Sequence, residues 1–423
     1  MSYVNGNGVN LALDQIENLY RNTAYGSLDE RLRATFRTLP TGDLKNAISR
    51  NIRGINHRQI AQALMPNLDH YGLTFFTRPD LNLATPNIRQ SRMLTDLLTE
   101  NQKSIPRAVR CLLDPSLQLR PRGAIECPLV DANLPFIPIL TNSLISCSGW
   151  PDLDIPLWSS TEGYQREQYS QVQGGMLFNG TTDISCTFNN IDGDLIGYMF
   201  FVWLFYMAEI FLVNDGLSPK LANIISATKD YETRIYRLRM DRNNKFVTRI
   251  MAANACIPYT LSTGQDADFD SKAGIHHIAQ SNFSFKAQGI IYNDPILIYE
   301  FNEVVETFNT GMRDENREKY MVQIPYQILD MVNTYGYPRV HPETMELQWF
   351  LSVEDLVNVY PELGQRLVDE IQMGDPYGRL DIINKTFGKT GVNIQPQGYA
   401  SFKNERVQTQ SQFLKEEEFI NEQ

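Results

Sequence analysis

Residues able to do chemistry are present in this chain, but their spacing assembles no recognisable catalytic set. His276 and His277 are the only adjacent pair among five histidines. Neighbouring residues on a strand point to opposite faces, so these two cannot easily ligate one metal, and a surface-loop pair is the simpler reading. Asp266, Asp268 and Asp270 have the opening spacing of a calcium loop. The glycine at the sixth position and the glutamate at the twelfth are missing, which leaves a solvated acidic loop. Gly174-Gly175 and the Gly193/Gly197 pair are not followed by the Gly-Lys-Ser/Thr of a phosphate loop. No Gly-x-Ser-x-Gly elbow occurs.

Cysteine usage points the same way. Cys111, Cys127, Cys147, Cys186 and Cys256 are scattered, odd in number and never spaced C-x-x-C. That argues against a zinc ribbon or a disulfide framework and for reduced, mostly buried thiols made in a cytoplasm. Cys111 and Cys256 sit among apolar residues without an identifiable base, as structural cysteines do. The sequence therefore predicts no catalytic residue, no cofactor and no metal, and a protein that is not an enzyme.

At 423 residues the chain is long enough for two or three modules. Its 38 Lys+Arg against 49 Asp+Glu give a net charge of −11. With no dense basic run, a general grip on nucleic acid is not expected. Twenty Tyr and 21 Phe favour β-structure and large packed interfaces. The opening residues Met1–Gly8 have neither a basic nor an apolar segment, so no signal peptide is expected.

The elements that would position any site change character along the chain. Residues 1–122 read as mainly helical, in short pieces. Ser27-Leu-Asp-Glu30 is a capping-box pattern, Ile60–Met65 and Met93–Leu98 are amphipathic runs, and Asp114–Gly123 reads as a linker. From about residue 126 the period becomes two. Ile184, Cys186 and Phe188 alternate with Asp183, Ser185 and Thr187, and Phe283, Phe285 and Ala287 alternate with Ser284, Lys286 and Gln288. Tyr236–Asp241 and Phe246–Ile250 flank Arg242-Asn-Asn-Lys245, which reads as a hairpin turn because Asn tolerates the left-handed conformation. Residues 301–407 return to mixed helical character, with helices expected after Ser352 and over Glu362–Met373. Residues 408–423 form a polar, acidic arm whose Phe419 and Ile420 are suited to docking on a neighbour.

Between the strands lies Leu195–Val213, a run of nineteen residues with a single charge, Glu209. As a helix it would be about 28 Å long, close to a hydrocarbon thickness. Its flanks are acidic (Asp192, Asp194, Asp215), without the cationic bias of a membrane span. Asp192 or Asp194 suits an N-cap, and Asn214-Asp215-Gly216 with Pro219 suits a stop. The favoured reading is a helix over 194–213 buried on every side by its own sheet and by neighbouring subunits. Arg237 and Arg239 share one face of a strand, with Arg234 and Arg249 near. They read as a solvated face with charge pairs or as an inter-subunit salt-bridge ladder, with a polyanion-contacting lining as the sharper alternative.

Ile145-Ser-Cys-Ser-Gly-Trp-Pro-Asp152, Glu162-Gly-Tyr164, Glu167-Gln-Tyr169 and Thr182–Phe188 together resemble the tail-tube fold of contractile-tailed phages. Asn254-Ala-Cys-Ile-Pro-Tyr-Thr-Leu261, the acidic stretch 266–270 and Phe283-Ser-Phe-Lys-Ala-Gln-Gly289 resemble the last strands of tube-like baseplate proteins. The resemblance covers about residues 126–300, and the length of the chain departs from a plain tube subunit. It implies an α+β protein whose residues 123–300 form a tail-tube-like β-barrel or sandwich with one long packed helix. It further implies a structural virion protein of a large-genome phage, an initiator or cap at the baseplate end of the tube. Such a subunit forms a homo-hexameric ring, contacts other tail tube and baseplate proteins, and lets DNA through its lumen without specific binding. The alternatives are another tail, neck or tube-associated structural protein, or a membrane-associated protein using 195–213. Candidate subunit-interface residues are Arg237, Arg239, Glu209, Trp203, Phe419 and Ile420.

Overall fold

The computed structural model describes residues 72–119, 125–174, 180–211, 216–226, 228–241, 244–261, 280–324, 336–353 and 355–356, with short strands at 3–4 and 10–11. The Ser27–Glu30 box, Ile60–Met65, Asn214–Asp215, the 266–270 acidic loop, His276-His277, Glu362–Met373 and the arm with Phe419 and Ile420 lie outside these residues. The chain divides into two compact units, Met1–Val304 with Val340–Leu347 and Val305–Arg339 with Gln348–Gln423.

Strands β1 (Tyr3–Val4) and β2 (Asn10–Leu11) pair with each other. The first unit is organised by a seven-stranded antiparallel sheet. Its strands are β3 (Gly72–Phe76), β4 (Leu144–Ser148), β7 (Thr181–Asn189), β8 (Thr233–Met240), β9 (Val247–Leu261), β10 (Gln280–Gln288) and β11 (Ile290–Tyr292). A two-stranded excursion, β5 (Leu157–Ser159) with β6 (Ser170–Val172), lies between β4 and β7 in the chain. The order across the sheet is β3-β8-β9-β10-β7-β4, with β11 also on β9. The expected barrel does not close within the described residues: β3 and β4 stand at the two ends.

Strand β9 works in two halves. Residues 251–253 pair with β11 and residues 257–261 with β10, while β8 runs along its other edge. Thr233 faces Cys256 but Ile235 faces Ala253, so β9 holds one more residue than β8 across this stretch. Ala255 takes it up at φ 45°, a left-handed bulge that bends the strand as it changes partners. The β8–β9 turn has the expected chemistry. Asn244 sits at φ 55°, and the Asp241 carboxylate accepts from the Lys245 and Phe246 amides at 2.7 and 3.0 Å.

The apolar run forms one helix, Leu195–Phe211. The label α5 is given to it, after α1 (Thr85–Ile88), α2 (Ile105–Leu113), α3 (Ser116–Leu119) and α4 (Pro138–Ser143). The Asp194 carboxylate lies back over Gly197, where a Cβ would come within 2.5 Å of its Oδ2, and the Asp194 carbonyl accepts from the Tyr198 amide at 3.0 Å. Ile196, Met199, Phe200, Val202, Trp203 and Tyr206 are buried. Phe200 stacks on Phe283 at 4.0 Å and also meets Phe188 and Phe285. Each side chain of this kind contributes about 1.5–3 kcal/mol by leaving water. No helix among the described residues is long and apolar enough to cross a membrane.

At the β3 end both sheet faces are covered. Phe76 and Ile235 face the α5 side, while Phe75 and Tyr236 pack with Phe136 and with Phe301 of helix α7 (Ile296–Phe308). Strand β3 falls inside the region expected to be helical. Its sequence, Gly-Leu-Thr-Phe-Phe, carries no alternation because both of its faces are buried. The first unit thus runs across the 122/123 position expected to separate two regions.

Two buried arginines tie this flank together. Arg78 donates to the carbonyls of Leu112 (3.0 Å), Asp131 (3.2 Å), Ala132 (3.4 Å), Leu134 (3.1 Å) and Cys111. Arg110 donates to Leu83 O (2.9 Å), Leu97 O (3.2 Å) and the Thr85 hydroxyl (2.9 Å). Burial lowers both guanidinium pKa values to about 10, so both stay charged at neutral pH. Lys220 bridges Asp80 at 2.5 Å and the buried Asp114 at 2.7 Å.

Mostly within the second unit, β12 (Met321–Gln323), β14 (Leu347–Ser352) and β13 (Tyr337–Val340) form a small sheet in the order β12-β14-β13. Helix α8 (Asp314–Tyr320) precedes it. The cap expected at Ser352 is present: its Oγ accepts from the Asp355 amide at 3.0 Å.

Candidate assembly surface

Register decides what the sheet presents to its surroundings. Along β7 and β10, the residues facing away from α5 pair as Thr181/Gln288, Asp183/Lys286, Ser185/Ser284, Thr187/Asn282 and Asn189/Gln280. Ser146 and Ser148 of β4 continue this row opposite Thr187 and Ser185, and Thr260 of β9 lies beside Ser284. The result is a face of hydroxyls and amides. Its one acid and one base answer each other, Lys286 Nζ standing 2.8 Å from Asp183 Oδ1. That contact holds the Asp183 carboxyl below its ordinary range. Thr187 and Asn282 share a hydrogen bond of 2.7 Å.

Strand β4 ends the sheet, paired only with β7 among the described residues. Beyond it the β5/β6 hairpin leaves the core altogether. All six residues of its two strands are exposed. Its local ties are a Ser159–Ser170 hydroxyl contact at 2.7 Å and an edge-on Trp158–Tyr169 pair at 5.5 Å. Around it Leu153, Ile155, Leu157, Tyr164, Tyr169 and Val172 are each at least half exposed. An isolated two-stranded hairpin is marginal in water, and an apolar patch of this kind marks a contact surface. A second exposed apolar group lies where α5 ends and helix α6 (Leu221–Ser226) follows: Phe211, Leu221, Ile224 and Ile225.

The candidate interface residues are dispersed. Arg237 and Arg239 do share a sheet face, opposite Thr74 and Gly72, and Arg237 donates to Gly72 O and Thr74 Oγ1 at 2.9 Å each. Arg249 lies directly across from Arg239. Arg234 occupies the other face, stacked over Tyr236 and paired with Glu300 at 2.5 Å. Glu209 accepts from the Ser91 hydroxyl at 2.6 Å. Trp203 is fully buried, its indole donating to Tyr231 O at 3.0 Å, and so presents no surface to a neighbour. Sequence reading missed the hairpin patch, although the exposed positions Leu153, Ile155 and Leu157 alternate with Asp and Pro in plain view.

No group of three or more His, Cys, Asp or Glu side chains among the described residues is placed to hold a metal. The sheet is thus open among the described residues, polar on its outer face along β7, β10 and β4, and its end strand leads into an exposed apolar hairpin. The family described as "Putative phage tail tube protein" matches residues 16–364, and the chain belongs to it. It is a structural protein of the tail-tube type and not an enzyme, and its family places it in the phage virion tail. No curated protein matches the sequence.

Among solved structures the chain is similar to an anti-feeding prophage cap, a tube-terminating cap. The two share 13% identity over 37% of this chain and 81% of that one, with a TM-score of 0.23. It is also similar to the PVC sheath/tube terminator of an extracellular contractile injection system in the extended state (13%, 37% and 86%, 0.21). A third is the PVC sheath-tube complex in the same state (14%, 37% and 82%, 0.21).

Proposed function

We propose that this subunit forms a homo-hexameric ring at the baseplate end of the tail tube, as initiator or cap. In this reading the polar β7/β10/β4 face lines a channel through which DNA passes. The observation that carries it is the two-faced, unclosed sheet. Along β7, β10 and β4 one face lies toward α5 and the other is solvent-facing, polar and neutral, and β4 ends the sheet with no outer partner among the described residues. An end strand of this kind is consumed when a neighbour continues the sheet around a ring. A face of Ser, Thr, Asn and Gln with one self-compensated ion pair offers no cation cluster, so polymer phosphates would slide past it without release of counterions.

In the ring, the β5/β6 hairpin and the α6 end supply two different apolar patches, as a head-to-tail contact requires. Arg237 and Arg239, which share one sheet face, are proposed to take part in a contact with a neighbouring subunit. Phe419 and Ile420 of the arm are proposed to dock on an adjacent subunit. The test is electron microscopy of the purified full-length chain. Rings with a central opening are expected, six-fold in averaged images; monomers at every concentration would overturn the reading.

A further inference from the structure

Cys147 of β4 and Cys186 of β7 face each other directly in the antiparallel register, with their sulfurs 3.5 Å apart. Both thiols are free. The strands are held close at this point: Gly149, at φ 93°, approaches so tightly that a Cβ on it would stand 2.1 Å from Asp183 O. Contraction to a disulfide of about 2.05 Å therefore needs side-chain rotation rather than strand movement. The two sulfurs also differ. Cys186 is fully buried and Cys147 half-buried. Cys147 Sγ accepts from the Cys186 thiol and, at 3.4 Å, from the Trp150 indole N–H.

We infer that Cys147 and Cys186 form an oxidant-driven disulfide that ties end strand β4 to β7 at the base of the exposed hairpin excursion, with Cys147 the sulfur that attacks the peroxide. The Cys147 thiolate, its proton released to solvent, displaces hydroxide from hydrogen peroxide and becomes a sulfenic acid. The Cys186 sulfur then attacks that sulfur. The Cys186 proton leaves with the displaced hydroxyl as water. Both cysteines are oxidised by one electron each, peroxide is reduced, and the sum is two thiols plus one peroxide giving one disulfide and two waters.

The donors on Cys147 lower its pKa, whereas burial pushes those of Cys111 and Cys256 up to about 12, which makes Cys147 the reactive thiol. The bond would enclose residues 148–185, the segment that carries β5 and β6. Reduced strands would leave the hairpin base free during assembly in a reducing cytoplasm, and oxidation after release would fix it.

The experiment exposes the full-length protein to hydrogen peroxide, alkylates it without reductant and maps peptides by mass spectrometry. The expected result is loss of two alkylatable thiols per chain and a Cys147–Cys186 linked peptide that reductant restores. In Cys186→Ser, dimedone is expected to trap the sulfenic acid on Cys147. Both thiols remaining alkylatable in the wild-type protein, a link to another cysteine or between chains, or a dimedone adduct elsewhere would each overturn the inference. The wild-type map decides the matter even if the variant fails to fold.

Discussion

The flank around Arg78 and Arg110 and the β5/β6 hairpin are opposite kinds of structure within one unit. In the flank, charged groups are buried and every one has been answered: Arg78 reaches five carbonyls, Arg110 reaches three acceptors, and Lys220 joins two carboxylates. In the hairpin, apolar groups are exposed and none is covered to the same degree. One region has its interactions complete within the chain; the other has its most oily residues facing outward. The difference teaches where the energy of this subunit is directed, inward for folding at the flank and outward for association at the hairpin.

The largest expected effect tests the first half of that contrast. Arg78→Met keeps most of the apolar stem but strands the carbonyls of residues 111, 112, 131, 132 and 134. Stability to urea should fall by about 3–5 kcal/mol, the scale for removing one partner from a buried charged network. A loss below about 1 kcal/mol would mean that water replaces the guanidinium, and the flank would not be the closed structure described.

How much of this was legible follows from the range of the signals. Ile184, Cys186 and Phe188, the Phe283/Phe285 alternation, the Asn244 turn and the α5 helix all rest on neighbours a few residues apart, and all were readable. Strand β3 was not, because burial on both faces erases alternation. Arg78 gave no signal either: its acceptors are backbone carbonyls more than thirty residues away, and carbonyls have no sequence. The neutral face of β7 and β10 and the Cys147–Cys186 encounter depend on register between distant strands. Trp203 misled for a related reason: all-round apolarity of α5 does not say which side meets its own sheet and which side waits for a partner.

An intermediate effect tests the hairpin. Replacing Leu157 and Val172 by Ser and Trp158 by Ala should change the unfolding free energy of the isolated subunit by only about 0.5 kcal/mol per site, as exposed positions do. Association should weaken by about 2 kcal/mol or more, roughly thirtyfold, if these residues form the centre of a contact. Thermal unfolding of the monomer and native mass spectrometry of the assembly separate the two quantities. If the monomer suffers as much as it does in Arg78→Met, the hairpin belongs to the fold and the contrast fails.

The smallest effect returns to the flank through Asp230, whose backbone carbonyl accepts from the Asp80 amide at 2.8 Å. The Tyr206 hydroxyl donates to Asp230 Oδ2 at 2.5 Å and accepts from the Asn82 amide at 2.9 Å. Burial raises the Asp230 pKa despite the hydrogen bond from Tyr206, which acts in the other direction. The folded value therefore lies above the unfolded one, and the protonated carboxyl is the form the fold prefers. Its contribution is full below the unfolded pKa and is lost as pH rises through the higher folded value. Asp230→Asn keeps an acceptor for Tyr206 and cannot ionise, so it should gain on the wild type as pH rises from acid to neutral. The gain should be about 1 kcal/mol or less, the scale of one neutral hydrogen bond, read from urea midpoints across that pH range. A variant whose deficit is the same at every pH would show that Asp230 is ionised without cost, and that water reaches a flank that otherwise answers its buried charges from within.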